Sequence, residues 1–495
     1  MNDFAELDRA LSEIAASGAA EVREDGRWLA DLCGLHCEFR EDGKNSLVHL
    51  WSDDRNLTRR VLRIKEKTNQ HIILEVQRFG RKTPGSLEFV RTDSQRSPGR
   101  VSREQFRARL QRILAESFPD ATIESLTTSP DLEHSFSGLY VRGRMHENSR
   151  EWALLAAAPG ESAAAIDGML AFGILWLDWV RNRGGSRAVV GLRLFVAEGA
   201  SRTLLARAAS LSSAARTEIF ELSEMDGRMR KIDSADTGNL ESSLVFRHEA
   251  ESTLAQAGES IARIRSFALN SGSAIGTRVP GGTNEVSFSF RGLEFARWSK
   301  DGLFFGLGDS RDPLTQATEP KLGQLIRSLE LHRSPLAEQK NHALFRAAPE
   351  RWLETIVSED PSKLDAQLDP THLYAQTPAL AAGDRGVLDL LGVTNRGRLV
   401  VIELKASEDI QLPLQAMDYW LRVRRHQRAG DFQRFGYFAG IQLNADPPLM
   451  WLVAPGLRFH SATDVLLKYL SPEVQVTRIG VNENWRGGLK VIFRQ

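Results

Sequence analysis

The sequence predicts a multidomain α/β protein, and three observations predict it. At 495 residues the chain is too long for a single hydrophobic core. Helical and strand-like segments alternate through its middle and its last third, the rhythm of sheets covered by helices. The first hundred residues follow another rhythm, with short strand-like runs between polar turn residues. The expected organisation is a small mostly-β module over 1–100, an α/β domain over 101–235, a connecting region of helix and β-hairpin over 236–340, and a second α/β domain over 341–495.

Composition sets limits on function. Lys plus Arg number 64 and Asp plus Glu 64, so attraction to a polyanion has to come from local patches. The longest apolar run, 163–180, contains Asp167 and Asp178 and is interrupted by Gly168 and Gly173, which reads as a buried helix rather than a membrane span. The opening residues MNDFAELDRALSEIAA lack the basic and apolar regions of a signal peptide. Cys33 and Cys37 are the only cysteines and cannot make a four-thiolate zinc site; two reduced thiols in a cytoplasmic protein are expected. No Gly-rich loop followed by Lys-Ser/Thr is present, which argues against an internal ATP-driven motor.

In the N-terminal module the runs SLVHLW, VLRIKE, IILEVQRF and LEFVR are read as strands. Arg55, Arg59, Arg60, Arg63, Lys65, Lys67, Arg78, Arg81 and Lys82 make it locally basic, either as a solvated face or as a place for phosphate contacts. The next segment opens with the helix REQFRARLQRILAESF. Strands follow near Ile123, near Tyr140 and at WALLAAA, then a long helix from Ser162 and a strand at VVGLRLFVAE. In the connecting region a helix is expected over 254–267 and another over 321–331. A hairpin is expected in EVSFSFRGLEFARWSKDGLFFGLG, turning at Ser299-Lys300-Asp301-Gly302, with no visible chemistry.

The chemistry concentrates in the last domain. A helix with the pattern ERWLETIV opens it after Pro349, which suits a first helical turn. Two strands, GVLDLLGV (386–393) and RLVVIELKA (398–406), are joined by Thr394-Asn395-Arg396-Gly397. Both are apolar almost throughout except at Asp389, Glu403 and Lys405, and unpaired buried charge costs several kcal/mol, on the order of 3–5 when one partner is lacking. Residues two apart on a strand share a face, so Glu403 and Lys405 point the same way, and pairing of the hairpin brings Asp389 to them. Two converging carboxylates make a hard-oxygen site suited to Mg²⁺, with Mn²⁺ as a substitute. Lys405 beside such an ion could orient or deprotonate a water, or offset charge on a phosphodiester in reaction.

In these residues the chain resembles the PD-(D/E)XK nuclease superfamily, and within it the NucS/DUF91 type of endonuclease. The stretches that carry the resemblance are PERWLETIVSEDPSKL, DRGVLDLLGVTNRGRLVVIELKA and LQAMDYWLRVRR, over about 349–452, with Leu388 where the family name has Pro. The resemblance implies a restriction-endonuclease-like mixed sheet flanked by helices. It matches Glu354 to the first-helix glutamate that assists the metal, Asp389 to the strand aspartate, Glu403 and Lys405 to the Glu-x-Lys pair, and Gln415 to a glutamine of the following helix. The implied activity is metal-dependent endonucleolytic cleavage of DNA in repair, restriction or defence. A non-catalytic nucleic-acid scaffold and an RNA-cleaving enzyme remain alternatives.

Arg422, Arg424, Arg425 and Arg428, with His426 among them, form a basic helix that suits either DNA-backbone contacts or a solvated helix end with cations near its C-terminus, and Asp384 and Arg385 stand beside the first strand as further cleft residues. The middle segment repeats the element order of the last domain. Tyr140, Leu154 and Ala156 would fall where Asp389, Glu403 and Lys405 stand, which points to a degenerate nuclease-like domain serving as a platform for DNA or for a second subunit, or else to a generic α/β unit of coincidental order. A homodimer and a helicase or other partner protein are compatible with this organisation.

Overall fold

The protein was analysed as a computed structural model that describes residues 7, 10–11, 14, 20–24, 27–32, 36–42, 45–51, 56–68, 71–77, 84–91, 98–129, 131, 136, 138–183, 188–223, 227–233, 244, 246–268, 272–280, 283–308, 311–375 and 388–495. It is an α/β protein that divides into two compact units, one of residues 1–104 with 306–312 and one of 105–305 with 313–495.

The first unit is built on a seven-stranded antiparallel sheet. Its spatial order is Arg27–Asp31, Ala20–Glu24, Gly85–Arg91, His71–Gln77, Asn56–Lys67, Asn45–Trp51 and His36–Asp42. Alternation decides its faces: along His71–Gln77 every second residue is buried, placing Ile72, Leu74 and Val76 in the core with Val48, Leu50, Leu87 and Phe89. Part of the expected basic surface is neutralised in place, because Arg59 pairs with Glu24 at 2.7 Å and Arg63 and Lys65 both approach Glu75. Arg55, Arg78, Arg81, Lys82 and Cys33 lie outside the described residues.

The second unit holds two mixed sheets of identical topology. The first contains β1 (Ala121–Thr127), β2 (Tyr140–Glu147), β3 (Arg150–Ala157), β4 (Ala188–Ala197), β5 (Thr217–Leu222) and β6 (Met229–Ile232), side by side in that order. The second contains β7 (Tyr374–Ala375), β8 (Leu390–Val393), β9 (Leu399–Leu404), β10 (Leu449–Pro455), β11 (Gln475–Val481) and β12 (Val491–Arg494), again in sequence order. In both, successive pairings run antiparallel, antiparallel, parallel, parallel, antiparallel.

The helices correspond as well. α1 (Pro98–Ser117) precedes the first sheet, α2 (Ala163–Asn182) crosses from β3 to β4, and α3 (Arg202–Ala208) lies between β4 and β5. In the second, α4 (Pro349–Glu359) precedes the sheet, α5 (Leu412–Ala429) crosses from β9 to β10, and α6 (Thr463–Lys468) lies between β10 and β11. Parallel neighbours require such crossovers. Ser162 caps α2 by accepting from the Ala165 amide, and Gly430 ends α5 in the left-handed region.

One continuous core joins the two halves. It takes Leu155 and Ala157 from β3, Leu391, Val393, Leu399 and Val401 from β8 and β9, and the inner sides of α2, α3, α5 and α6. The opposite face of each sheet has its own core: Leu110 and Leu114 of α1 pack with Trp152, Leu154 and Ala156, while Trp352 and Leu353 of α4 pack with Val400, Ile402 and Leu404. This corrects the register expected for the repeated segment. Leu154 and Ala156 face α1; at the end of the first sheet that corresponds to Asp389 and Glu403, the positions turned toward α2 are Tyr140, Leu155 and Ala157, with Arg142 whose guanidinium lies over the Trp176 ring of α2. A slip of one residue changes the face of every side chain, and an all-apolar strand gives no alternation to set it.

The connecting region is a meander rather than one hairpin. Ile275–Arg278, Val286–Phe290, Leu293–Ser299 and Gly302–Phe305 pair successively antiparallel. The extra turn is Arg291-Gly292, both at positive φ, +44° and +81°. The helix expected over 254–267 is two helices, Arg247–Gln256 and Gly258–Ser266. No helix among the described residues is long and apolar enough to cross a membrane.

Candidate functional site

The site is built at the ends of β8 and β9. Leu390 pairs with Ile402 and Val393 with Leu399, and Gly397 closes the hairpin at φ +77° where a β-carbon would lie 2.1 Å from the Gln442 carbonyl oxygen. Continuing that register places Asp389 opposite Glu403, on the face that carries Leu391, Val393, Leu399 and Val401 toward α5. Asp389 is anchored there because its Oδ2 accepts the Leu404 amide at 2.9 Å. Glu403 is 4 % exposed, and its Oε2 has no hydrogen-bond partner. A buried carboxylate oxygen in that state costs free energy unless a cation or a proton is supplied.

The electrostatics follow from this burial. Burial, and then the nearby Glu354 carboxylate, push the Asp389 carboxyl up to about 6. Burial and the Asp389 charge push Glu403 well above the usual carboxylate range. Lys405 responds oppositely: burial pulls it down, but Glu403 and Asp409 outweigh burial and hold it above its ordinary value as an ammonium. Its Nζ lies 3.2 Å from Asp409 Oδ2, so the lysine is steered by a residue that the sequence did not single out. Of the two roles considered for Lys405, the charged one agrees with its surroundings better than that of a neutral base.

Glu354 is also buried at the site, on α4, but it is not solitary. Arg351, one turn earlier, donates to Glu354 Oε2 at 2.6 Å and stands 3.5 Å from Asp389 Oδ1. Among the described residues no group of three or more His, Cys, Asp or Glu side chains is disposed to hold a metal ion. What Asp389 and Glu403 offer is a pair of hard oxygens, one of them unpartnered. That suits Mg²⁺, which is commonly held by one or two carboxylates with water completing the shell.

The start of α5 completes the wall. Gln415 has a buried Oε1 without a hydrogen-bond partner, and Gln411, one turn before it, has another. Tyr419 lies on the same stripe as Gln415; burial raises its hydroxyl far above normal, and the Glu403 and Asp389 charges add to that, so this stripe faces the carboxylates.

The arginines of the C-terminal half of α5 have separate surroundings. Arg422 is buried beside Tyr419, Arg424 and Arg428 pair with Glu473, and Arg425 is exposed. Asp384 and Arg385 lie outside the described residues.

Two arginines that sequence reasoning passed over are placed here instead. Arg351 is one. The other is Arg278, from the meander: burial and then the neighbouring Arg351 lower its pKa, while Glu354 raises it, which puts it within electrostatic reach of α4. Among the described residues no hydrogen bond or ion pair holds its guanidinium. The meander is fixed against α4 by close backbone contact, since a β-carbon at Gly292 would lie 2.2 Å from the Arg351 carbonyl oxygen. Arg333, fully buried, donates to the carbonyls of Phe290, Arg291, Leu344, Ala347 and Ala348 across that junction.

Compared with known protein families and with curated proteins, the chain matches none.

Proposed function

We propose that the second mixed sheet carries a Mg²⁺-dependent endonuclease centre acting on DNA. The observation that carries this reading is the pair Asp389 and Glu403: two adjoining buried carboxylates, both pushed up in pKa, one with an oxygen that nothing satisfies. A structural ion pair would not leave that oxygen bare. Asp389 and Glu403 would hold the metal, with Glu354 beside them, and a bound Mg²⁺ would polarise a phosphodiester and acidify a water. The Lys405 ammonium, set by Asp409, offsets negative charge developing on phosphate oxygens. Arg278 grips a neighbouring phosphate, and Gln415 offers an amide to the same space. The fold reading that goes with this is restriction-endonuclease-like, on the strength of the mixed sheet and the motif residues alone.

One observation favours the scaffold alternative: Arg351 already supplies a cation to Glu354 and Asp389. The deciding experiment incubates purified protein with labelled single-stranded, double-stranded and branched DNA and with RNA, in Mg²⁺, Mn²⁺ or EDTA, beside Glu403→Gln. The expected result is metal-dependent cleavage of DNA that the variant loses. Binding without cleavage in every condition would establish the scaffold.

A further inference from the structure

The two mixed sheets meet as two copies of one domain would in a symmetric dimer. On α2, Asp178 is gripped by the other half, accepting from the Tyr469 hydroxyl at 2.8 Å and from Lys468 at 2.9 Å at the end of α6. On α5, Asp418 is gripped in return by Arg207 of α3, which donates to both carboxylate oxygens at 2.9 and 2.7 Å. Just beyond α3 and α6 the chain forms an antiparallel bridge between Leu211 and Leu470. There the Ser212 amide donates to the Tyr469 carbonyl and the Ser471 amide to that of Ser210. The bridge is reciprocal residue for residue, the pattern of an isologous interface, while Asp178 near the end of α2 and Asp418 near the start of α5 add ion pairs between corresponding helices at different positions along them.

The two corresponding sheet ends also abut. A β-carbon at Gly168 of α2 would lie 3.2 Å from the Tyr140 hydroxyl and 3.2 Å from the Gln411 side chain, so both pack on the same glycine. Gln411 stands at the first turn of α5, one turn before Gln415, while Tyr140 belongs to the corresponding end of the first sheet. Among the described residues, β2 and β3 place no carboxylate toward α2 at that end; the charges that reach Tyr140 and Arg142 come from Glu161, Asp167 and Asp131, outside these strands. The Tyr140 hydroxyl is spent on the Ala165 carbonyl at 2.5 Å, and Arg142 donates to the Ser129 carbonyl beneath the Phe136 and Trp176 rings. A hydroxyl and a guanidinium at this place provide no oxyanion donors for a divalent cation.

We infer that the chain is a covalently joined pseudo-dimer that spans a DNA duplex with one reactive centre and one inert one, and therefore cuts a single strand per encounter. Paired two-fold halves match the two strands of a duplex, and among the described residues only one half has the groups to cleave. The inference rests on the nuclease reading of Asp389 and Glu403, and the test separates the two. Supercoiled plasmid is incubated with the full chain in Mg²⁺, and with mixtures of wild type and Glu403→Gln at constant total protein. The expected result is accumulation of open-circular DNA at a rate proportional to the wild-type fraction, a half-and-half mixture retaining about half the rate. Linear DNA formed directly from supercoil, or a rate falling with the square of the wild-type fraction, would show two cooperating reactive centres and overturn the inference. So would cleavage confined to single strands, which would leave the nuclease reading standing. Inertness toward every nucleic acid would remove that reading and this inference with it.

Discussion

Arg351 stands 3.5 Å from the Asp389 carboxylate while it bonds Glu354 at 2.6 Å, so a positive charge already lies among carboxylates that would otherwise repel one another. Burial alone would lower the Arg351 pKa, but Glu354 and Asp389 reverse that and raise it. Arg351 keeps 34 % of its side chain exposed, so removing it costs less than the ~3–5 kcal/mol of a fully buried pair, but it leaves the buried Glu354 and Asp389 uncompensated. Arg351→Met should therefore lower the melting temperature strongly in EDTA, and Mg²⁺ should restore more stability to the variant than to the wild type. Equal losses with and without the ion would show that Arg351 does not share this space with a metal.

The raised Asp389 carboxyl makes a second prediction, whose sign is opposite to that of ordinary surface carboxylates. Its pKa is about 6 in the fold against 3.8 as the reference value. A folded pKa above the unfolded one means that the contribution is fully present below about pH 4 and is lost as pH rises through 6. In metal-free buffer, Asp389→Asn should be more stable than wild type at pH 7 by on the order of 2–3 kcal/mol and indistinguishable from it near pH 4. Asparagine keeps an acceptor for the Leu404 amide, so the comparison isolates the charge. Thermal melts across pH 4 to 8 measure it, and a pH-independent difference would contradict the burial of a charged pair.

The centre was legible because charge interrupts two otherwise apolar strands at Asp389, Glu403 and Lys405, and a period of two places them on one face. The repeat of element order was legible too, but its register was not, since WALLAAA contains no polar residue to distinguish Leu154 from Leu155. Arg351 was missed because a helical arginine next to glutamates looks like any solvated ion pair. Arg278 was missed because its nearness to Arg351 and Glu354 comes from a strand brought up by tertiary packing. The charge of the basic run on α5 was legible but its packing was not: a stretch of arginines does not reveal that Arg422 is buried and that Arg424 and Arg428 share Glu473.

Arg278 should act on substrate affinity rather than on the fold. A phosphate contact contributes about 0.9 to the slope of log affinity against log salt. Arg278→Gln should weaken DNA binding about tenfold at low salt and reduce that slope by close to one phosphate, with the melting temperature nearly unchanged. Binding isotherms at several salt concentrations measure both quantities. An unchanged slope would assign Arg278 to packing alone.

The junction between the meander and α4 yields the last prediction, through Gly292 and Arg333. Gly292 has φ +81°, and its would-be β-carbon collides with a backbone oxygen of Arg351 rather than with a flexible side chain. Gly160 has nearly the same φ, +83°, with nothing within 4 Å. Gly160→Ala should then cost only the left-handed strain, about 1–2 kcal/mol, whereas Gly292→Ala should cost on the order of 3 kcal/mol or more, because α4 has to move. Arg333→Lys, which cannot span five carbonyls with one ammonium, should resemble Gly292→Ala. Because α4 carries Arg351 and Glu354 into the site, both of these changes should also reduce cleavage by folded protein, and Gly160→Ala should not. Denaturant melts paired with cleavage rates measure the two effects. Full activity in a destabilised Gly292→Ala protein would show that the junction supports the fold without positioning the site.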